Sequence, residues 1–204
     1  MRVGVTAMDG ERWERGLTYA TFKDAMSRNR ERLEANERRV VIDEETRAFF
    51  RGLSPHRVLV LAEDWCGDVI ANLPVLGRLA EECGTLDVRV FYRDQNLDLI
   101  DRWLNQGTYR SIPVFVLLDR DFRELGHWIE RPASVTELRA RMRREVYASD
   151  PAFGSPDAPA DQLPEDARLR LQAALQRMRD ETTSFANAEV LRELRELASV
   201  TAGP

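Results

Sequence analysis

The first third of the chain carries apolar residues at helical spacing among charged neighbours. From Glu11 onward they recur at multiples of three to four positions, which predicts an amphipathic helix. These positions are Trp13, Leu17, Ala20, Met26 and Leu33. Glutamates alternate with the arginines of the run Arg28–Arg39, which indicates a solvated helix face with local ion pairs. A second, short helix is predicted to begin after Asp43 as its N-terminal cap and to end near Gly52.

The middle of the chain alternates between strands and helices. Arg57–Ala62 is an almost continuous apolar run, typical of a strand buried on both faces. A polar turn at Asp119–Asp121 predicts a hairpin, and Ser134 with Glu137 predicts a capping box. The elements predicted after the first strand are a helix over Cys66–Glu82, a strand over Leu86–Tyr92, a helix over Leu97–Asn105, strands over Pro113–Leu118 and Phe122–Trp128, and a helix over Ser134–Tyr147. Right-handed crossovers make the first two strands parallel, so the predicted fold class is α/β with a mixed sheet of about four strands.

The last third begins with a proline-rich segment and is then helical. Residues Ser149–Pro164 hold four of the nine prolines, which predicts a linker or a loop that lies on the surface. Helices are predicted over Glu165–Arg179 and Asn187–Val200, with apolar stripes that pack on their own domain or, as the minority alternative, form a homodimer surface. The predicted domains are an N-terminal helical extension over 1–53, a central domain over 54–148, a linker over 149–164 and a C-terminal helical extension over 165–204.

Composition narrows the functional classes. The chain has 204 residues, 43% of them hydrophobic and 32% charged, with a net charge of −5. These values predict a globular protein and argue against a basic nucleic-acid binder. No apolar run approaches the ~20 residues of a membrane span, so a cytoplasmic protein without a membrane partner is expected. His56 and His127 lack partners at metal-ligand spacing, so neither a metal nor another cofactor is predicted.

The candidate chemistry lies at Cys66, where a buried strand meets a helix. The unpaired N–H groups and the positive end of a helix favour an anion there, and a thiolate at such a place has a pKa below the ~8.5 of a free thiol. Trp65 would shield one side of the sulfur. The chain has two cysteines, and Cys83 lies seventeen residues further on. Along one helix that separation is roughly 25 Å, whereas a disulfide needs Cα atoms within about 7 Å, so Cys83 is not a resolving partner.

Charged residues beside Cys66 have two interpretations each. Asp68, in the first turn of the helix, is either placed there by the helix dipole or tunes the thiol. The two effects oppose each other, because the dipole lowers a thiol pKa and a carboxylate raises it. Asp64 has the same ambiguity, with a surface role as the simpler one. Arg93 and Arg131 either offset these carboxylates or bind an anionic ligand, or, as the simpler interpretation, form ordinary salt bridges.

Several short motifs resemble the thioredoxin superfamily. They are Trp65-Cys66-Gly67 after the first strand, Pro74 eight residues past the cysteine, and Ile112-Pro113 at the third strand. The resemblance implies a thioredoxin-like fold with added N-terminal and C-terminal helices. It also implies that Pro74 is the kink proline of the active-site helix and that Pro113 is a cis proline facing the cysteine. More narrowly, a bacterial subfamily with N-terminal helices and one active-site cysteine is similar at the motifs Glu63–Asp68, Arg93-Asp94, Ser111–Pro113 and Trp128–Pro132.

The chain departs from two-cysteine thioredoxins at two positions. Val69 stands where the second cysteine would be, and Val60 replaces the buried acid six residues before the first. A mixed disulfide on Cys66 would therefore need an external thiol for its release. The leading hypothesis is thiol–disulfide exchange with a protein disulfide or a low-molecular-weight thiol. In it Cys66 is the nucleophile, Asp68 modulates it, and the remaining site residues are Trp65, Pro113, Gly67, Asp64, Ile112, Arg93 and Arg131.

Two alternatives remain open from the sequence. In one, the chain is a redox-inactive binding module that uses its helical extensions, and a buried or unperturbed Cys66 would favour it. In the other, which is the weaker, the chain resembles monothiol glutaredoxins and Cys66 holds a small thiol or an iron–sulfur cluster.

Overall fold

A four-stranded mixed sheet lies at the centre of the fold. A computed structural model describes residues 8–199 of the chain. Strand β1 (His56–Ala62) pairs in parallel with β2 (Leu86–Tyr92) and antiparallel with β3 (Val114–Leu118). Strand β4 (Glu124–Ile129) completes an antiparallel hairpin with β3, and the strand order is β2-β1-β3-β4. The predicted α/β class, with a parallel pair and a hairpin in one sheet, is confirmed.

Helices precede, connect and follow the strands. The first four are α1 (Gly10–Glu14), α2 (Tyr19–Ala25), α3 (Arg30–Glu37) and α4 (Glu44–Arg51). The others are α5 (Gly67–Cys83) between β1 and β2, α6 (Leu97–Ile100) after β2, α7 (Ala133–Ala148) after β4, and then α8 (Glu165–Glu181) and α9 (Thr183–Ser199). Short 3-10 turns lie at Arg93–Gln95, Pro151–Phe153 and Ala160–Gln162.

The single long N-terminal helix predicted from Glu11 is wrong, because the chain folds there into three short helices. Leu17 interrupts the pattern by pairing with Val90 of β2 through two backbone hydrogen bonds, of 2.9 and 2.7 Å. Asn29, in the left-handed conformation with φ 59°, then separates α2 from α3. The short helix after Asp43 is confirmed, since the Asp43 carboxylate accepts the N–H of Thr46.

Two further local predictions are wrong. The helix expected over Leu97–Asn105 ends at Ile100. Further on, Gln106 and Gly107 both have positive φ and close a tight turn in which Asn105 pairs with Tyr109. The capping box at Ser134 is absent as well. Helix α7 begins at Ala133, directly after Pro132, so the hydroxyl of Ser134 lies inside the first turn and donates to Glu189.

The main core is built on both faces of the sheet. Every residue of β1 from Val58 to Ala62 is at most 3% exposed, as expected for the central strand of a covered sheet. Phe115 of β3 stacks on Trp128 of β4 with ring centroids 4.9 Å apart. Each such fully buried side chain contributes about 1.5–3 kcal/mol to the free energy of unfolding. The buried sheet therefore fixes the positions of the strand termini and of the loops that follow them.

By their contacts, the residues fall into two units. The first comprises residues up to Arg131 and from Val190 onward, and the second is Pro132–Glu189. The second unit has its own small core of Tyr147, Phe153 and Leu171, so the proline-rich segment buries one of its side chains. Val200, the predicted end of the last helix, lies outside the described residues. The bounds of the four predicted domains and the homodimer through the C-terminal helices stay predictions.

Candidate active site

Cys66 lies at the junction of β1 and α5, as predicted. It is the N-terminal cap residue of α5, and its backbone oxygen accepts the N–H of Ile70 at 3.1 Å. Its Sγ donates to the backbone oxygen of Ile112 at 3.5 Å, and the peptide bond between Ile112 and Pro113 is cis. The sulfur is therefore held between the start of a helix and the loop that leads into β3. Gly67 is the first residue of α5, with open space around its Cα.

The environment of Cys66 raises the pKa of its thiol. Burial is the largest cause, because the low dielectric disfavours the charged thiolate. The N–H groups of Asp68 and Val69 favour the thiolate, as expected at a helix start, while the carboxylates of Asp68 and Glu130 oppose it. The lowered pKa predicted from the helix end alone is thus wrong in sign, and Asp68 acts by raising the pKa. At neutral pH the sulfur is a thiol, in agreement with its hydrogen bond to Ile112.

Asp68 and Arg131 are brought together beside the sulfur. The guanidinium of Arg131 lies 3.3 Å from the carboxylate of Asp68 and also contacts the carboxylate of Glu130. Asn105 donates to the Glu130 carboxylate at 2.8 Å. Arg131 thus joins a carboxylate of α5 to one that follows β4.

Trp65 is the exposed neighbour of Cys66. It is 46% exposed, and the guanidinium of Arg93 lies over its ring, 5.0 Å from the centroid. Arg93 is itself held, because it pairs with Asp94 at 2.7 Å and donates to the backbone oxygen of Arg110 at 3.0 Å. The indole ring therefore stands in a fixed orientation at the surface, supported by a cation–π contact.

Asp64 faces the N-terminal helices rather than the sulfur. Its carboxylate accepts the N–H and the hydroxyl of Ser27, at 2.8 and 2.9 Å, and the N–H of Arg28 at 3.1 Å. Its backbone oxygen accepts the side-chain amide of Asn29 at 2.9 Å. The loop between α2 and α3 is in this way fastened to the loop that carries the cysteine.

Sequence reasoning missed three residues of the site. Glu130 lies within the motif Trp128–Pro132, but the sequence assigns it no role. Asn72 of α5, only 3% exposed, donates to the backbone oxygen of Glu130 at 2.8 Å. Glu63, which is 8% exposed, accepts the N–H of Asp94 at 2.8 Å. In the sequence, Asn72 stands out as an amide on the apolar face of a predicted helix. Glu130 had no comparable signal, because its partners come from distant parts of the chain.

The two cysteines lie at opposite ends of α5. Cys83 is the last residue of α5, and its Sγ is 3.9 Å from the backbone oxygen of Arg47. Pro74 lies inside the same helix, which continues past it. Over residues 8–199, no three His, Cys, Asp or Glu side chains come together as metal ligands. Over the same residues, the longest apolar helix falls short of a membrane span.

This sheet, with a cysteine at the start of the helix after its central strand and a cis proline against the sulfur, defines a protein of thioredoxin fold. A sequence model of the thioredoxin family matches residues 16–143, and the chain belongs to that family. No protein of curated function matches the chain.

Two solved structures are similar over nearly the whole chain. A Pseudomonas aeruginosa protein of unknown function has 16% identity and a TM-score of 0.64, and the match covers 93% of this chain and 96% of that one. An HIV epitope-scaffold has 15% identity and a TM-score of 0.61 over the same shares. At these identities the likeness shows the fold alone.

Proposed function

We propose that the chain carries out thiol–disulfide exchange with Cys66 as its single nucleophile. The observation that carries this proposal is the position of the sulfur. It is part-exposed at the start of α5, 3.5 Å from the backbone oxygen that precedes the cis proline, and next to an exposed, oriented Trp65. An incoming disulfide can approach along the indole ring while the N–H groups at the helix start stabilise the thiolate as it forms.

The reaction has two steps. The Cys66 thiol loses its proton, and the thiolate attacks one sulfur of the substrate disulfide. A mixed disulfide forms, and the other half leaves as a thiolate that takes up the proton. Because Val69 stands at the second position, an external thiol then attacks the mixed disulfide, releases the Cys66 thiol and leaves as part of a new disulfide. The protein ends in its starting oxidation state.

The raised pKa of Cys66 supports a second candidate. A thiol that stays protonated at neutral pH attacks slowly, and burial is the main reason for its protonation here. A redox-inactive binding module would show the same direction of shift. Trapping of the mixed disulfide separates the two candidates, because a binding module does not form it.

The test treats the full chain with an excess of a small neutral disulfide, followed by peptide mass spectrometry at each cysteine. We expect a mixed disulfide at Cys66, faster as the pH rises past 8, and its release by added thiol. The Cys66→Ser variant should lose the adduct, while Cys83→Ser, the matched control, should keep it. A native chain modified only at Cys83 would refute the proposal.

The same samples measure the direction of the pKa shift. Alkylation of Cys66 by iodoacetamide should reach half its maximal rate at a pH above ~8.5, the pKa of a free thiol. A midpoint well below that value would contradict the burial effect and restore the expectation drawn from the helix end.

A further inference from the structure

Glu130 ties together the elements that surround Cys66. Its N–H donates to the backbone oxygen of Pro113 at 2.7 Å, which links it to the cis-proline loop. Its backbone oxygen accepts the amide of Asn72 at 2.8 Å, which links it to the helix that bears the cysteine. Its carboxylate accepts the amide of Asn105 at 2.8 Å and contacts Arg131. Glu130, directly after β4, is therefore hydrogen-bonded both to α5 and to the loop that contains the cis proline.

The backbone of Glu130 is in an unusual conformation. Its φ is 65°, in the left-handed region that glycine and asparagine favour and that costs a glutamate conformational energy. Such a residue persists where its surroundings determine it, and such residues concentrate at functional sites. Both backbone hydrogen bonds of Glu130, to Pro113 and from Asn72, depend on this turn at the end of β4.

The carboxylate of Glu130 is ionised at neutral pH. Burial raises its pKa, but the hydrogen bond and charge of Arg131, with hydrogen bonds from Ser111 and Asn105, outweigh burial and hold the pKa below the ordinary value. This charge opposes ionisation of the Cys66 thiol, as the carboxylate of Asp68 also does.

The cations of the site are already engaged by carboxylates. Arg131 contacts both Asp68 and Glu130, and Arg93 pairs with Asp94 while it lies over the Trp65 ring. Among these groups the carboxylates outnumber the two guanidinium groups.

We propose that Glu130 is a positioning and specificity-determining residue for exchange at Cys66: it joins the proline loop to α5 and fixes a negative charge beside the sulfur that disfavours anionic partners. The inference rests on the proposed function and names its substrate class, a neutral or cationic disulfide. A cationic disulfide such as cystamine should therefore react faster than an anionic one such as dithiodiglycolate.

The charge is tested with two alkylating agents that share a leaving group and differ in charge. Neutral iodoacetamide and anionic iodoacetate each form a thioether and release iodide. At one pH, the ratio of their rates cancels the thiolate fraction and reports the local field. In the full chain with Cys83→Ser, Glu130→Gln keeps a hydrogen-bond acceptor and removes the charge. The iodoacetate-to-iodoacetamide ratio at Cys66 should rise about three- to tenfold, as for one charge several ångströms away.

The matched control is Glu81→Gln. Glu81 is an exposed carboxylate on the same helix, fifteen residues and therefore roughly 22 Å from Cys66, so the ratio should stay unchanged. In the chain that keeps Glu130, the iodoacetate-to-iodoacetamide ratio should rise with added salt, because salt screens the negative field. This second measurement tests the inference even if Glu130→Gln does not fold. Equal ratios for the two variants, or a ratio independent of salt, would overturn the inference.

The outcomes separate this inference from the proposed function. Alkylation needs no disulfide partner, so a ratio that responds to Glu130→Gln in a chain without any Cys66 mixed disulfide refutes the proposed function alone. Exchange at Cys66 that runs equally fast with cystamine and dithiodiglycolate, before and after the substitution, refutes the role of Glu130 alone.

Discussion

Gly77 of α5 has no side chain, and the space that this leaves is occupied by the ring of Tyr19 from α2. A Cβ at this position would be 2.3 Å from Cε1 of Tyr19 and 2.6 Å from its Cδ1 and Cζ. Ordinary carbon contacts are about 3.5–4.0 Å, so the overlap exceeds an ångström at three ring atoms. The ring has little room to move, since the ammonium of Lys23 lies 4.7 Å from its centroid on one face.

We predict that Gly77→Ala destabilises the protein. Alanine in a helix interior gains about 1 kcal/mol over glycine, whereas overpacking of this size costs about 3 kcal/mol, the upper end of its usual range. The expected net loss is about 2 kcal/mol in the free energy of unfolding. The matched control is Gly67→Ala on the same helix, where nothing lies within 4 Å of the added carbon and the loss should be absent.

Urea unfolding followed by tryptophan fluorescence measures the effect. All four tryptophans lie between residues 13 and 128, within the first contact unit, so the signal reports the part of the chain that holds both helices. In the Tyr19→Ala background the clash is gone, and Gly77→Ala should become neutral or stabilising. The double-mutant cycle should give a coupling energy of about 2–3 kcal/mol. A coupling energy near zero would refute the packing of Tyr19 on Gly77.

Two further predictions concern the cysteine and its neighbours. Val69→Cys places a thiol three residues after Cys66, at a helical spacing of about 5–6 Å that a disulfide can bridge, so a mixed disulfide should be released without external thiol, as seen by mass spectrometry. Glu63→Gln removes a carboxyl whose pKa is raised by burial. Because burial raises this pKa, the folded parent loses stability as the pH rises and the carboxyl ionises. The variant should therefore have a higher urea midpoint than the parent at pH 7. The difference should vanish near pH 4, where the carboxyl of the folded parent is protonated. An adduct that persists on Val69→Cys, or a midpoint difference independent of pH, would contradict them.

The strands of this protein could be predicted because burial on the sheet leaves a local pattern. The bounds of β2 agree with the apolar alternation of Leu86–Tyr92, and those of β1 differ by one residue. The N-terminal helices could not be separated in this way. The apolar spacing continues through Leu17, while the interruption comes from its pairing with Val90, more than seventy positions away. A local pattern of apolar residues contains no information about a partner so distant in the sequence.

The position of Cys66 could be predicted from the sequence, but the electrostatics around it could not. Trp65-Cys66 after a buried strand was sufficient to locate the sulfur at the start of α5. The sign of the pKa shift depends on burial and on Glu130, and both arise only when the loop before β3 and the turn after β4 close over the cysteine. The left-handed backbone of Glu130 is likewise stabilised by Asn72 and Pro113, which come from different elements.

The charges beside Cys66 bear on how an exchange reaction could be controlled. Val60 and Val69, which replace the buried acid and the second thiol of two-cysteine thioredoxins, are both fully buried and cannot accept a proton. The carboxyl groups instead lie in the first turn of α5 and after β4, where Asp68 and Glu130 add to the effect of burial and raise the pKa of the thiol. A partner that brings a cation to either carboxylate weakens this opposition at the moment of docking. In the proposed exchange, ionisation of the thiol would then coincide with binding of the disulfide, and the thiol would stay protonated, and so less easily oxidised, until a partner docks.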